Sequence, residues 1–274
     1  LTMGLFRFNF NKEGPGVPKD APRKKGAARF FEIFTRDASQ IWLAGILLLL
    51  CSVPMIAAVT FGVLFWQYLG MLAIAVVVFV ASTALVGPAL ACMHTLLIKQ
   101  LCDEPCFFWH EYKKAWKSCW KQAFAVSALF GTICAMECAA AVIHLMTAQQ
   151  ISPILLGMVM LGLYIAVTSW LYALLQLTQM NMNLVPMLKN SLLLTMGFLK
   201  RSLPAGAITL ASGVVLIGFV PLPITLLLCL LGVPAFLALI VDMWAWPVME
   251  QVFHISDLRA ERREKERAEE AAAL

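Results

Sequence analysis

Hydrophobic residues in this chain are gathered into long runs, which short polar or basic segments separate. An α-helix rises about 1.5 Å per residue, so about 20 apolar residues cross the hydrocarbon core of a bilayer. Lipid offers no partner to backbone N–H and C=O groups, and this favours helices, which satisfy those groups internally. The runs therefore predict six transmembrane helices, at residues 41–65, 71–98, 122–146, 154–177, 203–220 and 222–246.

The composition agrees with lipid as the main solvent. Hydrophobic residues make up 61% of the 274 residues and charged residues only 14%, whereas charged residues make up about 25% of a soluble domain. A water-soluble fold would have too few polar side chains to cover its apolar surface. The predicted fold class is an all-α integral membrane protein. Pro54, Pro88 and Pro234 lie inside predicted spans, and each is expected to kink its helix rather than end it.

The basic residues predict the direction of the spans. All 21 Lys and Arg residues lie before span one, between spans two and three, between spans four and five, or after span six. Positively charged segments are retained on the cytoplasmic side during insertion, so both termini are expected in the cytoplasm. The net charge of +5 then fits the anionic lipid of the inner leaflet better than it fits nucleic acid.

Each odd-numbered span is preceded by an amphipathic cytoplasmic segment, most clearly at residues 106–121. Phe108, Tyr112 and Trp116 share one arc of a helix there, and basic residues headed by Lys113 share another. An aromatic face beside a basic face is typical of a helix that lies flat at the headgroup boundary. We therefore predict a cytoplasmic interfacial helix, and its four named residues are the candidate contact surface for a partner protein.

Residues 27–36 and 184–201 have a similar pattern, and this suggests an internal repeat. The chain divides into three helix-hairpin units, each with an interfacial helix, a span, a short outer turn and a second span, at 27–98, 107–178 and 184–250. The alternative is that any six-span protein alternates inner and outer loops in this way. Residues 1–26 are predicted to be an extended cytoplasmic tail, ahead of a transmembrane domain at 27–250, and residues 251–274 a charged, solvated cytoplasmic helix.

Three ionisable residues inside predicted spans are candidates for a functional role. Glu137 lies near the middle of span three, where an acidic side chain costs about 2.5–3.5 kcal/mol unless it faces protein or water. His144 lies on the same helical face, so the two residues suggest a proton or ligand relay; the alternative is a structural hydrogen bond between helices. Asp242 lies near the inner end of span six, where snorkelling to the interface is expected. Gln176 or Gln179 is its candidate partner.

The loop between spans two and three contains a set of metal-ligand residue types, Cys102, Cys106, His110 and Cys119. Zinc sites usually have tighter ligand spacing, and Pro105 would break the helix that aligns the first three residues, so no metal is expected. The sequence contains no phosphate-binding loop, metalloprotease motif or serine-hydrolase motif. It therefore predicts neither a cofactor nor enzymatic activity.

Four stretches of the sequence stand out as motifs. They are FNFNKEGPGVPKDAPRKKG followed by FFEIF, Gly87-Pro88 leading into His94 and Lys99, the segment FWHEYKKAWK, and Lys189-Asn190 with Lys200-Arg201. Together they resemble the bacterial YesL-like family of small membrane proteins, which is classed as a domain of unknown function. The resemblance implies no established catalytic or binding residues.

The resemblance also implies a location and a role. It implies a multi-pass protein of the bacterial cytoplasmic membrane that assists carbohydrate uptake without enzymatic activity. The leading interpretation is an accessory or regulatory subunit that contacts the permease subunits of a sugar ABC importer. The alternative is a stand-alone small transporter or channel that uses Glu137 and His144.

Overall fold

The computed structural model of this chain describes residues 24, 26–148, 152–180, 182–259, 261 and 264. The elements are α1 (Ala27–Leu64), α2 (Leu69–Leu101), α3 (Phe108–Ala148), α4 (Pro153–Gln179), α5 (Leu184–Gly197), α6 (Leu199–Val214), a π-helical segment (Val215–Phe219), α7 (Leu222–Leu230) and α8 (Val233–Phe253). Every element in these ranges is helical, which confirms the predicted all-α fold. The predicted tail lies almost wholly outside the described residues.

Five of the described helices, α1 to α4 and α8, are long and apolar enough to cross a bilayer. The first four of them match the first four predicted spans, although α1 ends at Leu64, one residue before the predicted end. Because each helix satisfies its own backbone groups, several such helices in one chain define a multi-pass membrane protein.

The interfacial helices predicted before spans one and three are not separate elements. α1 runs unbroken for 38 residues, and α3 runs unbroken for 41 residues. In both helices no Gly or Pro separates the amphipathic segment from the apolar run, so the backbone hydrogen bonds continue through the junction. At about 1.5 Å per residue α3 is about 61 Å long, roughly twice the thickness of the hydrocarbon core. Only the third predicted segment forms a helix of its own, α5, which ends at Gly197.

The last two predicted spans also differ from the first four. α6 ends at Val214, and the π-helical segment continues it to Phe219. The predicted sixth span is divided into α7 and α8 at Gly232, whose φ of +78° is rarely adopted by residues with a Cβ. Pro234 lies in the first turn of α8, where its missing N–H costs no helical hydrogen bond. The expectation that Pro234 kinks a continuous helix is therefore wrong.

The helix break at Gly232 is stabilised by α1. The indole Nε1 of Trp42 donates a hydrogen bond of 2.9 Å to the carbonyl of Leu230, one of the acceptors that the end of α7 leaves without a helical partner. By contrast, α1 and α2 run through Pro54 and Pro88 without ending, as predicted.

α2 lies at the centre of the bundle, where it contacts α1, α3, α4 and α8. It approaches α3 closely at Gly87. A Cβ at this position would lie 2.2 Å from the Oγ of Ser127 and 2.6 Å from the backbone oxygen of Ala123. Small residues at helix contacts allow this close packing in membranes, where dispersion forces replace the hydrophobic effect as the source of association.

Charged side chains from several elements meet at one end of the bundle, which we call the charged end. Arg29 and Arg36 of α1 bind opposite oxygens of the Asp103 carboxylate at 2.7 and 2.6 Å. Arg259, which follows α8, binds Glu104 at 2.8 Å. The charged end therefore contains the start of α1, the loop from α2 to α3, and the segment after α8.

That segment is packed against the bundle. α8 ends at Phe253, His254 has a φ of +47°, and the next side chain, Ile255, is 1% exposed. Arg259 also donates to the Oε1 of Gln179 at the end of α4, and its guanidinium lies 5.0 Å from the ring centroid of Trp246. Ile255 and Arg259 thus pack against the bundle, whereas residues 256–258 are exposed. Most of the remaining C-terminal residues lie outside the described ranges.

Candidate functional site

The main polar feature inside the bundle is a pair formed by His94 of α2 and Asp242 of α8. The Nδ1 of His94 lies 2.9 Å from each carboxylate oxygen of Asp242. His94 is 5% exposed and Asp242 is fully buried. The expectation that Asp242 snorkels to the interface is therefore wrong, because its short side chain is held inside the bundle by a partner on another helix.

His94 also lines a cavity of about 190 Å³ between the helices. The lining side chains come from α1, α2, α4, α6, the π-helical segment and α8, and most of them are apolar. Besides His94, the polar groups include the hydroxyls of Thr209 and Ser212 and the indole of Trp170. Pro234, at the start of α8, forms part of the wall. At about 30 Å³ for each molecule, this volume is that of about six water molecules.

The geometry divides the roles of the two imidazole nitrogens. Nδ1 is engaged by the carboxylate, and no hydrogen bond to Nε2 is present among the described residues. A carboxylate on one nitrogen fixes the tautomer and the ring orientation of a histidine. His94 is therefore oriented to exchange a proton or form a hydrogen bond through Nε2.

The pairing also compensates two ionisable side chains that would be costly to bury alone. Each group gives the other a hydrogen-bond partner inside an apolar bundle, where an uncompensated charge is costly. Ionisable residues in spans usually pair in this way and often belong to ion or proton pathways.

The two residues of the predicted relay are placed elsewhere. The carboxylate of Glu137 in α3 lies against Gly162 of α4, where an added Cβ would be 2.6 Å from its Oε1. Glu137 and His144 are both half-buried. No side-chain hydrogen bond to either residue occurs in the described part of the chain, so the structure does not link Glu137 to His144 through a direct contact.

The aromatic and basic residues at the start of α3 point in two directions. Phe108 is buried and Tyr112 half-buried, and both pack in a cluster with residues of α1, α2 and α8. Lys113 and Trp116 are exposed. The predicted contact surface of four residues is therefore wrong for Phe108.

The exposed residues form a different stripe, which we call the Trp–Lys stripe. Its members recur at helical spacing along one side of α3, and all are exposed: Trp109, Lys113, Trp116, Lys117 and Trp120. Alternation of indoles and ammonium groups is typical of the boundary between hydrocarbon and headgroups.

The remaining motif residues lie in α2 and α5. Gly87 and Pro88 are buried in α2, and Gly87 is at the contact with α3. On α5, Lys189 is exposed and Asn190 is half-buried. None of the four lines the cavity.

The cysteine-containing loop does not gather metal ligands. Within the described ranges, no three His, Cys, Asp or Glu side chains come together in a metal-binding arrangement. Burial raises the pKa of the Cys106 thiol, which disfavours the thiolate form that binds metals.

At the charged end, Asp103 is held in its ionised form. Burial opposes its ionisation, but hydrogen bonds from Arg36 and Arg29 outweigh burial, so the pKa of the Asp103 carboxyl lies below its ordinary value. The same two arginines also donate to the carbonyl oxygens of Gln100 and Leu101, the last residues of α2. This arrangement ties the start of α1 to the end of α2.

No protein-family model, no curated protein and no solved structure matches this chain. The resemblance to the YesL-like family therefore stays a prediction. The class that the fold defines is a multi-pass helical membrane protein, and its candidate site is the pair of His94 and Asp242.

The pairing of His94 with Asp242 is not predicted from the sequence. There His94 is part of a motif, and the candidate partners of Asp242 are two glutamines. The available signal was one ionisable residue in each of two otherwise apolar spans, a pattern that suggests mutual neutralisation.

Proposed function

We propose that this chain is a small, non-enzymatic membrane transporter that binds and releases a proton at the pair of His94 and Asp242. The observation that carries the proposal is a buried imidazole with one nitrogen held by a carboxylate, in a residue that lines an intramembrane cavity. The cavity gives the free nitrogen a route for proton exchange, and movement of the broken helix α7–α8 beside it would change access to the pair.

The test is proton flux through the purified chain alone in proteoliposomes. A potassium diffusion potential drives protons, and an enclosed pH-sensitive dye reports their entry. We expect flux with the unaltered chain, and a loss of about tenfold or more with His94→Gln, because an amide cannot take up the proton. His144→Gln is the matched control and retains the flux. Equal flux from the unaltered chain and the His94 variant would refute the proposal.

We propose six crossings, with both termini in the cytoplasm of a bacterial cell. The charged end supports this orientation, because it brings together the basic start of α1 and the Arg259 segment after α8. α6 with its π-helical segment would be the fifth crossing, and α7 with α8 the sixth. The threefold repeat stays a prediction: α1–α2 and α3–α4 are simple hairpins, whereas the third unit contains the break at Gly232.

The second candidate is an accessory subunit that assists a carbohydrate importer. The observation that favours it is the exposed Trp–Lys stripe, which offers a surface to anionic lipid or to a permease subunit. A pulldown in mild detergent followed by mass spectrometry tests it. Recovery of sugar-importer permeases with the unaltered chain, and their loss with Lys113→Gln/Lys117→Gln, would support it. Recovery of the chain alone would count against it.

A further inference from the structure

A buried polar residue, Gln176 of α4, lies between the His94–Asp242 pair and the charged end. It is fully buried, and neither atom of its amide has a hydrogen-bond partner in the described part of the chain. A buried donor or acceptor that remains unpaired costs about 1–3 kcal/mol. An amide has two N–H donors and a carbonyl oxygen. A small molecule that both donates and accepts hydrogen bonds would satisfy them at this buried position.

The depth of Gln176 follows from the positions of the helix ends. Gln179, three residues further along α4, is bound by Arg259 at the charged end, so Gln176 is about 4–5 Å deeper. His94 lies seven residues before Leu101, whose carbonyl is bound by Arg29 at the same end, which places it about 10 Å deep.

The neighbours of Gln176 connect it with the same region of the core. Tyr172, one turn earlier on α4, and Leu175, the preceding residue, pack in a cluster with Ile98 of α2 and Val241 of α8. Ile98 is one turn from His94, and Val241 adjoins Asp242 in sequence.

Other polar atoms in this region also have spare hydrogen-bonding capacity. The two oxygens of Asp242 share a single nitrogen of His94, although a carboxylate can accept about four hydrogen bonds. Gln100, near the end of α2, is 2% exposed, and its Oε1 is unpartnered within the described ranges. The unsatisfied groups thus extend from the pair toward the charged end.

We infer that ordered water binds at the Gln176 amide and connects the His94–Asp242 pair with the charged end. Buried water molecules typically make about three hydrogen bonds each to polar groups that the protein leaves unsatisfied. This inference rests on the proposed function for its purpose: the cavity serves one side of the pair, and the water at Gln176 gives protons a route to the other.

The first test compares Gln176→Met with the unaltered chain by thermal unfolding in mild detergent. Methionine has a similar length but no strong hydrogen-bonding group. If water binds the amide, the substitution leaves that water without its partner, and Tm falls by about 2–4 °C or more. Gln67→Met, at an exposed turn at the other end of the bundle, is the control and leaves Tm unchanged. An unchanged or raised Tm for Gln176→Met overturns the inference. If the site held no water, removal of an unpaired buried amide would stabilise the folded chain.

A second measurement uses the unaltered chain. Hydroxyl radicals made by X-ray radiolysis modify side chains next to bound water, so we expect modification of Tyr172 although it is fully buried. Met187, equally buried in a different core cluster, is the control and stays protected. Protection of Tyr172 would overturn the inference. Neither test depends on transport, so absent proton flux would refute the proposed function while leaving the water site to be judged separately.

Discussion

Replacement of both members of the buried pair is expected to be less harmful to stability than replacement of one. His94→Leu leaves Asp242 without its partner in an apolar bundle. Asp242→Val leaves only a neutral imidazole with an unpaired N–H. The double variant His94→Leu/Asp242→Val removes both polar groups, and the adjacent cavity has room for small adjustments in side-chain shape.

The magnitudes follow from the separation of the two groups. The Nδ1 of His94 and the Oδ1 of Asp242 lie 2.9 Å apart, and both side chains are buried, so removal of either one leaves the other without compensation. Loss of one partner of a buried ion pair costs about 3–5 kcal/mol, the expectation for His94→Leu. A buried group that loses only a hydrogen bond costs about 1–3 kcal/mol, the expectation for Asp242→Val. The double variant should be close to neutral, so the coupling energy equals the summed cost of the two single variants, about 4–8 kcal/mol.

Tryptophan fluorescence during thermal unfolding in mild detergent measures this cycle, since the chain has eight tryptophans. We expect His94→Leu to lower Tm by about 10 °C, and the double variant to regain most of that loss. His144→Leu is the control, because this half-buried histidine has no side-chain hydrogen bond in the described part of the chain. Additive effects of the two single substitutions would refute the pairing. A folded double variant without proton flux would also separate the function of the pair from its contribution to stability.

Three further predictions concern packing, pH and backbone conformation. Gly87→Ala should destabilise the chain by about 1–3 kcal/mol, since the added Cβ would overlap α3. Gly157→Ala, whose added Cβ would meet nothing within 4 Å, should stabilise the chain by about 0.5–1 kcal/mol. Thermal unfolding measures both effects. The Asp103 carboxyl has a folded-state pKa below its ordinary value of 3.8. Its stabilising effect is therefore fully present above pH 3.8 and is lost as the pH falls through the folded-state pKa. Asp103→Asn should make Tm depend less on pH in the acid range. Gly232→Ala should cost about 1 kcal/mol because its φ is positive, and an unchanged Tm would contradict this.

The fold was predictable where a single physical rule governs the chain. The length of the apolar runs in α1 to α4 follows from the hydrocarbon thickness, and the sequence predicts these four spans. The prediction failed where two rules compete. A basic and aromatic segment can lie flat at the interface or extend a span, and the choice at the start of α3 depends on burial of Phe108 against other helices. Likewise Pro234 can kink or begin a helix, and Gly232 decides between them by allowing a positive φ.

The candidate site was less predictable because it depends on contacts between helices distant in sequence. His94 and Asp242 are 148 residues apart, and neither local periodicity nor charge spacing identifies such a partner. Glu137 is the more conspicuous candidate in the sequence because it lies nearest the middle of a span. The depth of a residue is readable from sequence, whereas the neighbour that satisfies it is a property of the tertiary packing.

Because α3 is unbroken, it can tilt as one rigid body. The exposed indole and ammonium groups of α3 lie near its start. The close contact between Gly87 and Ser127 lies further along the helix and is the point about which α3 would tilt. The end of α3 lies about 32 Å beyond this contact, so a tilt of about 10° there moves that end sideways by about 5–6 Å. A tilt imposed at Trp116 would therefore displace Glu137, near the middle of the span, against Gly162 of α4.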